Sequence, residues 1–459
     1  MAVAEVVVAA TKSTFLAHLT LAALALPGLT PDTALAGRVE ETYDAGFQYG
    51  HYAESGQRMG VDIFEGAASA PLGKNMTGSV GVVRDVIAGA SPVYNKRDAN
   101  GKIVQVVSGA SGKAAHTGSG ASPCNASICD ERNAVTGGLT YFGGSTATSV
   151  GGGYSNENDY TSRYMNANLS VDFNKKLTTL NIGGSVAFDE NHPTPFGGNG
   201  IRNLDCGARC HKTSQQYLLG LTQIIDKNSL LQSNMSFAYN QGYLSDPYKL
   251  ATFYAPDSRY IPDPNQAGNY VQIDPNNPGN VLIGQNASSL PVLESAANDR
   301  RPREKFQWAW LTQYVRHFEQ FNSAALHVDY RFTTDSWGIS SHTNEISWHQ
   351  PIADGWQLIP RFRYYSQTQA DFYNAVFSGQ ASDYTVYSSD YRLAGFGALS
   401  GGLKLAKTFA GLKPLQDLKL QIGAEYYDHK ASYQLGGNNS GAFADFSYYL
   451  ITAAFNLKF

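Results

Sequence analysis

The stretch YLITAAFNLKF (449–459) decides the fold. Strand side chains alternate between two faces, so Tyr449, Ile451, Ala453, Phe455, Leu457 and Phe459 share one side of an extended segment. Thr452, Ala454, Asn456 and Lys458 share the other. One face is apolar throughout, and the opposite one is small or polar. A strand of this kind suits a wall with hydrocarbon outside and a polar interior.

An apolar terminal strand closing on Phe resembles the signal by which Gram-negative outer-membrane β-barrels are recognised for insertion. Tyr449, Ile451, Phe455, Leu457 and Phe459 are its candidate residues. The resemblance implies an all-β, antiparallel transmembrane barrel, with outer-membrane lipid and the barrel assembly machinery as partners and both termini in the periplasm. The other end of the chain agrees with export. Lys12 precedes the apolar run Phe15 to Leu29 (FLAHLTLAALALPGL), and Ala34-Leu35-Ala36 follows as a small-residue cleavage site. His18, Pro27 and Gly28 interrupt the run, which falls short of the ~20 apolar residues of a spanning helix. Residues 1–36 therefore read as a signal peptide and 37–459 as the barrel.

Composition is consistent with a barrel. The mean hydropathy is -0.29, and 46 Gly and 28 Tyr accompany a net charge of only -4. No second long apolar run exists, which excludes a helical membrane protein, and no polybasic tract points to nucleic acid. A soluble β-sandwich would share the Gly and Tyr content, so the strand pattern has to discriminate.

Alternating stretches beyond residue 38 are separated by two kinds of connection. Short ones fall at Ala70 to Lys74, Asn174 to Lys176, Asp226 to Asn228, Phe318 to Phe321, Ala353 to Gly355 and Ala406 to Pro414, most with turn-forming Asp, Asn, Gly or Pro. Between them lie connections near 52–57, 89–157, 190–213, 244–302, 333–336, 372–388 and 434–442. The strict alternation predicts short turns at one end, loops at the other and about fourteen strands, the loops near 89–157, 190–213 and 244–302 being long and extracellular. Trp308, Trp310, Trp348 and Trp356 suit the interfacial girdles. In WGISSHTNEISWH (337–349) both alternating sets are polar, so a bulge, a strand rising above the membrane or a protein-covered outer surface is required there.

The same alternation collects a polar luminal wall: His327, Asp329, Arg331, Glu345, Arg361, Arg363, Gln367, Gln369, Asp371 and Glu425. Opposed charges in a narrow pore focus a transverse field, whereas internal ion pairs merely brace a barrel. Cys124, Cys129, Cys206 and Cys210 fall in two predicted loops and are disulfide candidates in an exported chain, with three pairings open. The spacing in CGARCH (206–211) does not match a haem-attachment motif, and oxidation of the thiols competes with metal capture by Cys206, Cys210 and His211, so neither cofactor nor metal is expected. No nucleophile elbow or H-E-x-x-H occurs, and no catalytic residue is assigned.

The segments DVIAGASPVYN (85–95), GYLSDPYK (242–249), DSWGISSHTNEISWHQ (335–350), PRFRYYSQTQADFY (360–373) and SSDYRLAGFGALSGGLK (388–404) resemble, in order, the marker segments of a large bacterial family catalogued only as a domain of unknown function. The resemblance implies an outer-membrane barrel over the whole mature chain and implies no activity. The expected function is a channel or transporter for small solutes through a charged, partly occluded lumen. The alternative is a non-enzymatic envelope scaffold holding a small periplasmic lipoprotein or redox protein, and an outer-membrane hydrolase ranks third.

Overall fold

The computed structural model describes residues 42–57, 59–89, 91–97, 103–108, 128–193, 209–256, 260–262, 269–274, 277–286, 292–437 and 445–459. Sixteen antiparallel strands close into one barrel. They are β1 Asp44–Glu54, β2 Met59–Pro71, β3 Met76–Gly89, β4 Ile128–Phe142, β5 Thr146–Asn156, β6 Tyr160–Phe173, β7 Thr178–Asn191 and β8 Cys210–Asp226, followed by β9 Ser229–Gly242, β10 Glu304–Phe318, β11 Ala324–Asp335, β12 Ser340–Ala353, β13 Trp356–Gln367, β14 Phe396–Ala410, β15 Asp417–Lys430 and β16 Phe446–Lys458. Closure joins β16 to β1, from Asp44 opposite Lys458 to Glu54 opposite Tyr448. Each backbone donor of the wall thereby finds a partner in a neighbouring strand, a necessity in lipid.

Fourteen strands is therefore an undercount. The missed pair, β4 and β5, lies inside the segment read as one loop over 89–157. The outward face of β5 reads Thr146, Thr148, Val150, Gly152 and Tyr154, and glycines interrupt β4 at 137 and 138. Apolar alternation is diluted there, while the partners β3 and β6 fix the register. Connections alternate as expected. Turns of two to six residues lie at the end that carries both termini, and every long connection lies at the other.

Outward positions are apolar and open, including Val82, Leu139, Met165, Phe188, Leu219, Phe362, Ile422 and Tyr426. On β16 the outward Tyr449, Ile451 and Phe455 are exposed and Leu457 is half-buried, while Phe459, just past the strand, is exposed. Two aromatic bands frame this surface. Trp308 meets Phe332 at 5.4 Å near the long-loop end, and Trp348 packs against Phe318 and Phe321 at the terminal end. Above the upper band, outward side chains turn polar, as in the ion pairs of His51 with Asp62 and Arg84 with Glu131.

The doubly polar stretch in 337–349 belongs to this upper zone. His342 points outward and its Nδ1 lies 2.9 Å from the Tyr330 hydroxyl. Its β13 neighbour is Ser366, which is buried because residues 431–437 fold over the outer face of β13 and β14. There Tyr364 Oη donates to the Tyr433 carbonyl and Leu435 N–H donates to Ser366 Oγ. The strand thus rises beyond the apolar belt under a cover of protein. Gly397 permits that cover, since a Cβ there would lie 2.0 Å from the Tyr433 carbonyl oxygen. Gly397→Ala is expected to displace 431–437 at a cost of about 1–3 kcal/mol, seen as a lower urea midpoint and faster proteolysis near Tyr433.

Candidate functional site

Inward positions carry the chemistry. Arg361 of β13 donates from Nε and Nη2 to the two carboxylate oxygens of Glu345 on β12, both at 2.7 Å, and from Nη1 to Glu425 on β15 at 2.7 Å. The reach to β15 crosses the intervening strand at Gly402, which pairs with Arg361 on one side and Glu425 on the other. The bidentate fork fixes the guanidinium geometry. Three half-buried side chains from three strands thus brace one wall.

Around this knot, Asp329 accepts from Gln313 Nε2 at 3.2 Å. The His327 ring stacks on His349 with centroids 4.2 Å apart. Arg331, Arg363, Lys404 and Lys419 also point inward, and among the described residues no carboxylate lies within 4.0 Å of any of them. The wall from β10 to β15 therefore holds a surplus of positive charge. Across the barrel, β2, β3, β6 and β7 turn Glu65, Asp85, Asp172 and Asp189 inward, each buried, against Arg132 and Lys212. A ring of sixteen places each strand opposite the one eight positions on. Asp85 on β3 thus faces the strand of Arg331, Asp172 on β6 faces that of Lys404, and Asp189 on β7 faces that of Lys419. Basic and acidic side chains thus lie on opposing walls, with Asp85 and Asp189 paired to Arg132 and Lys212. The alternation of β15 marks Lys419 as inward in the sequence, whereas Lys404 has no place in the sequence-derived wall although the alternation of β14 marks it as inward too.

Four assignments need correction. Gln369 and Asp371 are not luminal: β13 ends at Gln367, and both are exposed in the connection 368–395. The chain leaves the barrel ladder there because Ala370 and Asp371 give their N–H groups to the Leu393 and Trp337 carbonyls. Cys129 and Cys210 are not loop residues either, since they sit in the first turns of β4 and β8. Cys210 is buried and disulfide-bonded. The side chain of Cys129, together with Cys124, Cys206 and the signal segment 1–36, lies outside the described residues.

The long-loop end carries a cap that pattern reading missed. Strand Leu250–Pro256 pairs with Val292–Asn298 and with Phe377–Ser378. This joins the connection after β9 to the one after β13. Two small cores form, one of Trp337, Ala370, Phe372, Tyr373, Leu393 and Ala394, the other of Ala251, Phe253, Phe377 and Tyr387. Gln367 Nε2, at the top of β13, donates to the Arg392 and Ala394 carbonyls. From the cap, Tyr391 meets His429 and Phe446, which face inward at the mouth, with ring centroids 6.4 and 5.8 Å away.

Charged groups lock the cap. Arg301 binds Asp299 at 2.6 Å and Asp390 at 2.7 Å, and Arg392 binds Asp390 and Asp246. Burial alone would raise the Asp390 carboxyl, but Arg392, Arg301 and Lys249 hold it well below the usual carboxylate range. Asp246 is likewise lowered, its burial outweighed by Arg392 and Lys249. Burial pushes Asp299 up despite Arg301. A lowered folded-state value means that the stabilisation is fully present above the unfolded value of ~3.9 and is lost as pH falls through the folded one. Protonation of Asp299 favours the folded state on acidification, so it does not loosen the cap. Protease access to 243–303 and 368–395 is therefore expected to stay constant from neutral pH to about 5 and to rise only in stronger acid. Separately, Arg361→Met strands Glu345 and Glu425. The three side chains keep 18–28% exposure, so the expected loss is about 2 kcal/mol, below the ~3–5 of a fully buried pair, read from urea unfolding in micelles.

No curated protein matches the chain. Among solved structures, the chain is similar to a bacterial polysaccharide outer membrane secretin at 7% identity and TM-score 0.44, over 92% of this chain and 99% of that one. It is similar to the outer membrane protein opdK from Pseudomonas aeruginosa at 9% identity and TM-score 0.37, over 91% and 99%. A third, the siderophore receptor PirA from Acinetobacter baumannii, has 11% identity and TM-score 0.39 over 86% of this chain and 54% of that one. A family model described as protein of unknown function (DUF3570) matches residues 16–450, in keeping with the marker segments, and the chain belongs to that family.

Proposed function

We propose that the protein is a conduit for small solutes in the outer membrane of a Gram-negative cell, with a lumen that prefers anions. The observation that carries this reading is the placement of charge inside a closed barrel: among the described residues Arg331, Arg363, Lys404 and Lys419 have no ion-pair partner on one wall, while the opposite wall carries Glu65 and Asp172 beside Asp85 and Asp189, the last two paired with Arg132 and Lys212. Arginines and lysines lining a pore lower the barrier for anions, and an acidic wall facing them orients a dipolar solute. In this reading the signal peptide 1–36 is removed, both termini lie in the periplasm, and the cap faces outward and restricts entry. The assembly machinery receives the barrel through Tyr449 to Phe459, and no catalytic role is assigned to any residue.

The cap favours a second reading. Two hydrophobic cores and a buried ion-pair network hold the long-loop end together, which suits a scaffold that engages a small lipoprotein or redox protein from the periplasmic side. Single-channel recording of the refolded barrel separates the two. A conduit gives stable steps with anion preference, and Arg363→Glu combined with Lys404→Glu shifts the reversal potential toward cation preference. Silence from an inserted, heat-modifiable barrel rejects the conduit and favours the scaffold.

A further inference from the structure

We propose that the lumen holds a binding site for an organic carboxylate, with the carboxylate between Arg363 and Arg331 and the carbon skeleton against a ridge of tyrosines. The site rests on the lumen being reachable by solutes, as proposed above.

Arg361 takes both Glu345 and Glu425, which leaves the next cations along the wall without an ion-pair partner, the one carboxylate near Arg331 that Arg361 does not take being Asp329. Arg363 and Arg331 are half-buried, near enough to repel each other, and among the described residues neither has a hydrogen-bond or ion-pair partner. Taking a guanidinium partly out of water without an anion is unfavourable, so the pair is poised for one. The ladder continues from Arg363 through Ser400 to Tyr427 on β15 and Tyr448 on β16, all inward and on one level. Neither the Tyr427 nor the Tyr448 hydroxyl has a hydrogen-bond partner among the described residues, and neither is among the wholly buried, unsatisfied atoms. Arg363 thus stands near Arg331 on one side and near two phenolic donors on the other, and among the described residues none of the four has a hydrogen-bond acceptor. This donor set matches a carboxylate: forked N–H donors meet its two oxygens, and phenols complete the coordination.

The skeleton is indicated by the neighbouring rings. Tyr427 stacks on Tyr448 at 4.5 Å, and Tyr52 of β1 lies 4.6 Å from Tyr448. Three phenols from three strands make an aromatic ridge beside the cations, and a planar or apolar carbon frame packs on such edges. Bare inorganic anions would meet only the charges, so the ridge selects for an acid with a hydrocarbon part.

The test is isothermal titration of the full-length refolded barrel in detergent, with benzoate, acetate and benzyl alcohol as probes. Benzoate is expected to bind about tenfold tighter than acetate, and benzyl alcohol weakly. Arg363→Gln should weaken benzoate by about tenfold, and Tyr427→Phe by severalfold, with heat-modifiable migration confirming that each variant is folded. Equal affinity for benzoate and acetate, no benzoate binding at all, or unchanged binding in a folded Arg331→Gln and Arg363→Gln double variant would each overturn the proposal. Because titration does not require current, a barrel that conducts without binding benzoate fails this site alone. A silent barrel that binds benzoate through Arg363 upholds the site and rejects the conduit.

Discussion

Backbone hydrogen bonding that closes on itself is the constraint on which everything else depends. A strand in hydrocarbon cannot leave an N–H or C=O unpaired. The wall must therefore end where it began, with β16 against β1 from Lys458 to Tyr448. Once the ladder is closed, side-chain period does the rest: each residue is committed to lipid or lumen by its parity. This is why strands as poor in apolar residues as β5 remain in the wall. Their neighbours supply the hydrogen bonds, and a glycine-rich outer face costs packing without costing backbone satisfaction.

The parity rule also concentrates charge. Glu345 and Glu425 occur 16 and 64 residues from Arg361 in the chain but sit on β12 and β15, beside its own β13, with only Gly402 of β14 between Arg361 and Glu425. That knot settles the local balance in a particular way. Because one arginine takes two carboxylates, the remaining cations of the same wall have no ion-pair partner among the described residues, and Asp329 is the carboxylate left near Arg331. The brace thus contributes to the positive surplus of this wall.

The cap works by different physics. Its segments lie outside the barrel ladder, so they cannot rely on continuous strand pairing and instead build small cores and a buried ion-pair network around Asp390. Buried charges of this kind stabilise a defined arrangement only when they are mutually paired. Here Arg301 and Arg392 converge on one carboxylate from two connections, tying the segment after β9 to the one after β13. Tyr391 then reaches from the cap to the inward rings of His429 and Phe446, so the cap also touches the lumen wall.

Much of this was legible in the residues. YLITAAFNLKF and the alternation of β11 to β16 determined the barrel, its outer face and the inward placement of Asp329, Arg331, Glu345, Arg361, Arg363 and Glu425, because side-chain period is a local property. The strand count was not legible, because β4 and β5 are held by register with β3 and β6 and not by their own pattern. The end of β13 was equally hidden: Gln369 and Asp371 continue its alternation, yet Ala370 and Asp371 bond to Leu393 and Trp337 of the cap. Nor could alternation reveal which charges pair, since Arg361 reaches across Gly402 to a strand 64 residues away while Arg363, two positions later, meets no carboxylate. The sequence by itself determined which face each strand residue takes. Only the tertiary structure decided which cations remain free, because that depends on distances between strands that no local period encodes.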